Sequence, residues 1–531
     1  QKLSPLPTRG PTSGPPISTM SMPRSLLVVL GTLLGQSRFA ESHQEHPIIS
    51  TVNYTDVYDG ALLVGRLAIP HDASSSDPRP AAVIFPDWDG VNEYEQKRAE
   101  MLAEELGYVA LAADVFGGGM EVELIEDRVA QITLYRGNLT LSNARVSAAI
   151  GLVNDLEEVD SSKGVAVLGY CFGGTLVLNH ALSGSDEAVA TVAFHGSLDA
   201  VTKDMNQTVK SNVLIISGGE DSMDSTKSVV DMERALNHGN ATWELSRYSD
   251  VEHGFTVFGS GSYNELVDSR SWESTKTFLM ETFQEKTLES NEPSPDDVST
   301  EEIIYSDVDG TPLKGYVSHP DNGPDLSPAV IIIPAWSGVT DQERARAYLV
   351  SELLGYVGFA ADIYGEEHGL DLADMGNKIT LATKYHSNVT LFVQRIKAAI
   401  VQTQAIPGVD PNKIALFGYC FGGTGVINYA MVGESEAKGI VSFHGGLSNL
   451  APVGSKINTR MLVLSGGDDD ASSQLEDLEN AMELGNATWE YTRWSDVLHS
   501  FTDWGANQGW SQYNLRADAR SWASAANFLD E

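Results

Sequence analysis

Short apolar runs alternate with amphipathic stretches along most of the chain. Ala81–Phe85 (AAVIF), Val109–Ala113, Gly164–Leu168, Ala188–Phe194 and Val213–Ser217 are apolar almost throughout, which predicts strands buried on both faces. Between them, Tyr94–Leu106 and Leu141–Leu156 carry apolar residues at helical spacing. Strands alternating with helices predict an α/β fold with a mostly parallel sheet and helices on both faces. In such sheets, sites form beyond the carboxyl ends of the strands.

The pattern is written twice. Tyr54-Thr-Asp-Val-Tyr-Asp-Gly returns as Tyr305-Ser-Asp-Val-Asp-Gly, Glu105-Leu-Gly-Tyr as Glu352-Leu-Leu-Gly-Tyr, and Asn240-Ala-Thr-Trp-Glu as Asn486-Ala-Thr-Trp-Glu. The hexapeptide Gly169-Tyr-Cys-Phe-Gly-Gly174 returns unchanged at Gly418–Gly423. The offset is 251 residues from Tyr54 to Tyr305, 249 from Cys171 to Cys420 and 246 from Asn240 to Asn486. A period this long marks a duplicated domain, not a solenoid. The expected domains are residues 48–284 and 301–531, joined by an acidic linker at 285–300 rich in Glu, Ser, Pro and Asp.

Residues 1–21 read as a leader outside the fold. Residues 22–40 read as a signal peptide, with Arg24 as its positive end and Leu26–Leu34 (LLVVLGTLL) as an apolar stretch too short to span a membrane. Six Asn-x-Ser/Thr sequons, at Asn53, Asn138, Asn206, Asn240, Asn388 and Asn486, fit the same secretory or extracellular route. An organelle or the cytoplasm is the alternative. Only two cysteines occur, which excludes a disulfide framework.

Among 531 residues, 42% are hydrophobic, a globular composition, and 34 basic against 73 acidic residues give a net charge of −39. Such a surface repels phosphate backbones, so nucleic acid is not an expected partner. No membrane span is expected either, and oligomeric state is not read from the sequence.

Both cysteines lie where chemistry is expected. Gly169-Tyr170-Cys171-Phe172-Gly173 follows an apolar strand and opens a helix, the context of a nucleophile elbow with Cys in place of Ser. A thiol at a helix N-terminus is favoured as thiolate, and the Phe172 N–H can serve as an oxyanion donor, with Phe421 its equivalent. A buried, inert cysteine would not explain why both occupy the same hexapeptide. In the order nucleophile, acid, histidine, Cys171 is followed by Gly218-Gly219-Glu220-Asp221 and then His253; Cys420 is followed by Gly466-Gly467-Asp468-Asp469 and then His499. Asp221 and Asp469 are the expected acids, with Glu220, Asp468 and Asp470 as rivals. His195 and His444 precede the acid and read as pocket or structural residues.

The arrangement GYCFGG, G-x-x-D and H-[GS]-F resembles the dienelactone hydrolase family over nearly all of both copies. The resemblance implies two tandem α/β-hydrolase domains that hydrolyse ester or lactone bonds of a small molecule through a Cys-His-Asp triad, with no cofactor and no metal. It also implies an acid near the cysteine that regulates its ionisation. The matching residues are Asp87 in Phe85-Pro-Asp-Trp-Asp-Gly and Ala335 in Ile333-Pro-Ala-Trp-Ser-Gly. The backbone N–H groups of Trp88 and Trp336 are the implied second oxyanion donors. The family's substrate-carboxylate arginines are replaced by Gly117 and Gly365 at one position and by Val257 and Asp503 at another. Acids such as Asp89, Glu366 and Asp503 are expected at the rims. Neutral substrates are therefore expected at both sites, with Trp88, Phe116, Trp336 and Tyr364 as apolar walls and Arg128 and Lys378 as the nearest basic candidates.

Three readings follow: two working hydrolase sites, one working site beside a structural copy, and a small-ligand-binding protein on a hydrolase scaffold. The acid at Asp87 makes the first copy the stronger site under the second reading. Fold alone does not establish catalysis, but a complete triad in each copy favours the first.

Overall fold

The computed structural model describes Leu26 and residues 46–203, 207–283, 298–321, 323, 324, 326–365, 370–448, 450–454 and 456–530. The leader, nearly all of the expected signal peptide, Asn206, Glu366 and most of the expected linker lie outside the described residues. Two compact units divide the chain, one carrying Cys171 and the other Cys420.

In the first unit eight strands run β1 (Ile48–Thr55), β2 (Leu62–Ile69), β3 (Ala81–Phe85), β4 (Val109–Ala112), β5 (Val165–Tyr170), β6 (Ala188–Phe194), β7 (Asn212–Gly218) and β8 (Trp243–Tyr248). Their order in the sheet is β1-β2-β4-β3-β5-β6-β7-β8. The strands from β4 to β8 are parallel, and β2 and β1 are antiparallel additions at one edge. Every residue of β3, β4 and β5 is buried. This is why these strands read as continuous apolar runs: helices cover both faces of the sheet.

The helix Glu93–Leu106 crosses from β3 to β4. It starts at an Asn92–Glu95 capping box and stops at Gly107, whose φ of 67° suits a residue without Cβ. Leu139–Asn154 begins at Asn138, whose side chain accepts the Leu141 N–H.

Several elements are absent from the periodicity reading, three of them for evident physical reasons. Strands β1 and β2 form an antiparallel hairpin whose outer strand is largely exposed, so its apolar residues show no buried run. The helix Ile125–Gly137 exposes Ile125, Val129 and Leu134 and buries only Tyr135, so apolar spacing does not track its inner face.

The second unit repeats the plan. Strands β9 (Val298–Ser306), β10 (Pro312–Pro320), β11 (Ser327–Ile333), β12 (Val357–Ala360), β13 (Val409–Tyr419), β14 (Gly439–Phe443), β15 (Arg460–Gly466) and β16 (Trp489–Trp494) are ordered β9-β10-β12-β11-β13-β14-β15-β16. Val298–Thr300, expected in the linker, belong to β9 and pair with β10. A small hairpin, β17 (Asn507–Gln508) with β18 (Ser511–Gln512), has no counterpart among the described residues of the first unit. No helix among the described residues is long and apolar enough to cross a membrane.

Candidate active site

The turn from β5 into the helix Phe172–Leu182 forces Cys171 to φ 50° and ψ −109°, a conformation L residues rarely adopt. Cys420 repeats it at φ 52° and ψ −112°, between β13 and the helix Phe421–Met431. Tight packing around the turn explains the flanking glycines. A Cβ on Gly169 would stand 2.1 Å from the Gly173 carbonyl oxygen, and one on Gly173 would stand 2.2 Å from that of Phe85. In each copy the cysteine N–H donates to the end of the neighbouring strand, Cys171 to Phe194 O and Cys420 to Phe443 O, both at 3.0 Å.

Each thiol meets an imidazole and each imidazole meets a carboxylate. His253 Nε2 lies 2.9 Å from Cys171 Sγ, and its Nδ1 lies 2.8 Å from Asp221 Oδ2. In the second copy His499 Nε2 lies 3.1 Å from Cys420 Sγ, and its Nδ1 lies 2.9 and 3.0 Å from the two Asp469 oxygens. Burial opposes charge on these rings, but the bonds to carboxylate and sulfur outweigh it, raising His253 to about 10 and His499 to about 11.

None of the rival acids is bonded to a histidine of the two sets among the described residues. Asp470 accepts from Ser465 Oγ at 2.6 Å and from the Leu447 N–H at 3.4 Å. Asp224 does the same job in the first copy, accepting from Leu198 N–H at 2.7 Å and Ser217 Oγ at 3.4 Å. Asp468 lines the cleft beside His499. No bond links Glu220 to His253 among the described residues.

The loop carrying each histidine is anchored from behind. His195 Nε2 lies 2.8 Å from Thr256 Oγ1, and its Nδ1 accepts the Cys171 N–H at 3.1 Å. His195 is therefore the neutral Nε2–H tautomer, consistent with burial lowering its basicity. His444 Nε2 lies 2.7 Å from Thr502 Oγ1. Arg98, paired with Asp268, donates to Thr256 O, and Arg346, paired with Asp518 at 2.8 Å, donates to Thr502 O. Both guanidinium groups are buried among aromatic rings, 4.3 Å from the Phe258 ring centre and 4.7 Å from that of Trp504.

Asp87 is buried beside the first thiol. Its carboxyl is pushed up to about 10 by burial, by its bond with Asp89 and by the nearby Glu95, so it is uncharged at neutral pH. Glu95 is itself raised to about 8 by burial. Ala335 removes this group from the second site. The Gly173 N–H donates to Pro86 O at 2.9 Å, which ties the loop bearing Trp88 to the start of the elbow helix. Phe172 and Phe421 open their helices, so their N–H groups have no helical acceptor.

Two of the expected apolar walls are packing residues instead. Phe116 is 8% exposed and stacks on Phe172 at 5.8 Å. Tyr364 is 4% exposed, packs on Phe421, and donates its hydroxyl to Trp336 O at 3.1 Å. Burial of these rings against the elbow helix leaves them little surface for a substrate.

A basic group near the first site lies outside the positions matched to the family's arginines. Arg136, in the helix Ile125–Gly137, donates to Ser197 Oγ at 3.2 Å, and Ser197 Oγ reaches Met223 Sδ at 3.3 Å, just beyond Asp221. It is near enough for its charge to interact with Cys171, and its Nε is buried with no acceptor. Arg128 is spent differently, over the Trp88 ring at 5.3 Å and paired with Asp89 at 3.3 Å. Asp89 is thereby neutralised and is not a bare rim charge. Lys378 lies in the first turn of the helix Met375–His386.

A signal for Arg136 was present in the repeat. Tyr135-Arg136 precedes the sequon Asn138 as Tyr385-His386 precedes Asn388, so His386 stands where Arg136 does. Trp510, stacked 5.9 Å from His499, is a second residue the sequence reading missed. Among the described residues no group of three or more His, Cys, Asp or Glu side chains is placed to hold a metal ion.

Comparison with known proteins finds similar chains and a matching family. The chain is 24% identical over 214 residues to a Bradyrhizobium protein named "Probable 2-oxo-3-(5-oxofuran-2-ylidene)propanoate lactonase", covering 38% of this chain and 83% of that protein. It is 27% identical over 228 residues to a candidate carboxymethylenebutenolidase of Synechocystis, covering 40% of this chain and 88% of the relative. A solved dienelactone hydrolase-like promiscuous phosphotriesterase from metagenomic libraries is 27% identical, with a TM-score of 0.41, and covers 45% of this chain and 99% of that one. The model of the dienelactone hydrolase family matches residues 63–283 and again 313–531, so the chain belongs to that family and carries it twice.

Proposed function

We propose that each copy hydrolyses a carboxylic ester or lactone through an acyl-enzyme on its own cysteine. The observation that carries this is the unbroken chain of contacts from sulfur to imidazole to carboxylate in both units. Sγ attacks the carbonyl carbon as thiolate, and backbone N–H groups of Phe172 and Trp88, or Phe421 and Trp336, receive the developing oxyanion. The carbon–oxygen bond then breaks and the imidazolium proton passes to the leaving oxygen. Water next attacks the thioester, giving its proton to Nε2. The carbon–sulfur bond breaks, releasing the acid and restoring the thiolate–imidazolium pair. Asp221 or Asp469 holds the ring throughout.

The copies differ in the substrate they suit. Arg136 gives the first site a cation for an acidic group on the substrate, such as the propanoate in the name of the Bradyrhizobium relative. With His386 in that place, the second site suits neutral substrates. The completeness of the second set of contacts favours two working sites over a structural second copy. Secretory entry is proposed on the apolar stretch at Leu26–Leu34 and on exposed Asn53, Asn240, Asn388 and Asn486.

Iodoacetamide tests the mechanism. Both cysteines are expected to be alkylated near neutral pH, with loss of esterase activity and protection by substrate. Complete alkylation with activity intact would sink the proposal.

A further inference from the structure

The loop after the catalytic histidine is closed by the same bond in both copies. Asn264 N–H donates to Phe255 O at 2.9 Å, and Asn514 N–H donates to Phe501 O at 3.0 Å. Eight residues separate the first pair and twelve the second. The longer loop holds the six-residue β17–β18 hairpin, with Gly509-Trp510 at its tip. The hairpin is fastened to the histidine itself, since the Gln512 N–H donates to His499 O at 3.0 Å.

This places an indole over the second site. The Trp510 ring lies 5.9 Å from the His499 ring at an interplanar angle of 30°, and 6.4 Å from the Trp336 ring at 87°. The two indoles thus meet edge to face, with Trp510 also stacked on the His499 ring. Trp336 is held in place by the Tyr364 hydroxyl on its carbonyl, whereas Phe116 in the first copy has no hydroxyl to offer. Trp510 is nonetheless 55% exposed, and it borders a cleft of about 480 Å³ shared with Asp468, Asp469, Leu498, His499 and Gly509. A large ring at the mouth of a cleft, left half-uncovered by its own fold, is surface for a ligand. The replacement of Asp87 and Asp89 by Ala335 and Ser337 removes two carboxyl groups from the same loop.

We propose that Trp510 and Trp336 form an aromatic cradle that binds a planar ring of the substrate, giving the Cys420 site a preference for aromatic esters that the Cys171 site lacks. The proposal rests on the hydrolase reading for its substrate class. Trp510 is here a specificity residue: it adds contact to the ring-bearing part of the substrate and leaves the reacting atoms to Cys420 and His499.

The test uses the full chain with one site silenced, and two esters with matched carbonyls, methyl 3-phenylpropanoate and methyl 3-cyclohexylpropanoate. In Cys171→Ala, kcat/KM is expected to favour the phenyl ester by about fivefold, within the range one aromatic contact supplies. Adding Trp510→Ala should erase that preference through KM, leaving kcat and the pH profile unchanged, and Trp510→Phe should restore most of it. In Cys420→Ala the ratio should stay near one with or without Trp510. Equal phenyl preference at both sites overturns the proposal. So does a Trp510→Ala effect on kcat and pH profile alike for both esters, since the indole would then only be steadying His499. If neither ester is turned over, the hydrolase reading falls, and binding still decides the cradle. Quenching of tryptophan fluorescence by 3-phenylpropanamide should be lost in Trp510→Ala; undiminished quenching overturns the cradle.

Discussion

Nε2 of His253 stands 2.9 Å from Sγ of Cys171 while Nδ1 of the same ring is held by Asp221, and His499 and Cys420 repeat the relationship at 3.1 Å. With the rings raised to about 10 and about 11, each imidazole keeps its proton through neutral pH. In the proposed mechanism that proton is delivered to the leaving oxygen, so turnover should fall as pH rises through these values. We expect the alkaline limb of kcat/KM near pH 10 in Cys420→Ala, which reports the first site, and near pH 11 in Cys171→Ala. A profile that instead rises through about 6.5 would mean a neutral imidazole acting as base on a thiol.

Asp87 should cost stability as pH rises. Its folded value of about 10 exceeds its ordinary value of 3.8, so the folded state holds the proton more tightly than the unfolded state. Below about pH 4 both states are protonated and no penalty arises; between about 4 and 10 the unfolded state gains by ionising. Asp87→Asn should therefore raise Tm at pH 8, by at least about 2–4 °C if it recovers 1 kcal/mol in a domain of this size. The gain should vanish toward pH 4. A gain independent of pH would show that ionisation of this carboxyl is not its cause.

Arg136 should set the charge preference of the first site. With Cys420→Ala as background, Arg136→Gln is expected to lower kcat/KM for a carboxylated lactone at least about tenfold, equivalent to roughly 1.4 kcal/mol, while a neutral analogue changes little. The effect should shrink at high salt. Equal losses for both substrates would assign Arg136 a structural role through Ser197.

Much of this was readable from the chain because buried parallel strands and a duplicated hexapeptide leave strong local signals. Ala81–Phe85 and Ala188–Phe194 coincide with β3 and β6, since both faces of these strands are covered and every position is apolar or small. The structure brings Cys171 to His253 and Asp221, residues that sequence order alone had grouped. What order could not supply was geometry around that set. Arg136 sits on a helix whose exposed apolar residues hide its inner face, and its tie toward the site is the bond to Ser197. Trp510 depends on a four-residue difference between the copies, visible in length but not in direction. Phe116 and Tyr364 were assigned to the substrate because of their chemistry, whereas packing against the elbow helix uses their surface.

The central claim, two independent cysteine nucleophiles in one chain, is tested most directly by turnover of a small p-nitrophenyl ester by Cys171→Ala, Cys420→Ala and the double variant. Each single variant should retain the activity of the remaining site, and the double variant should lose at least about a thousandfold, as removal of a nucleophile does in related triads. Activity near that of the unmodified chain in the double variant would contradict the account.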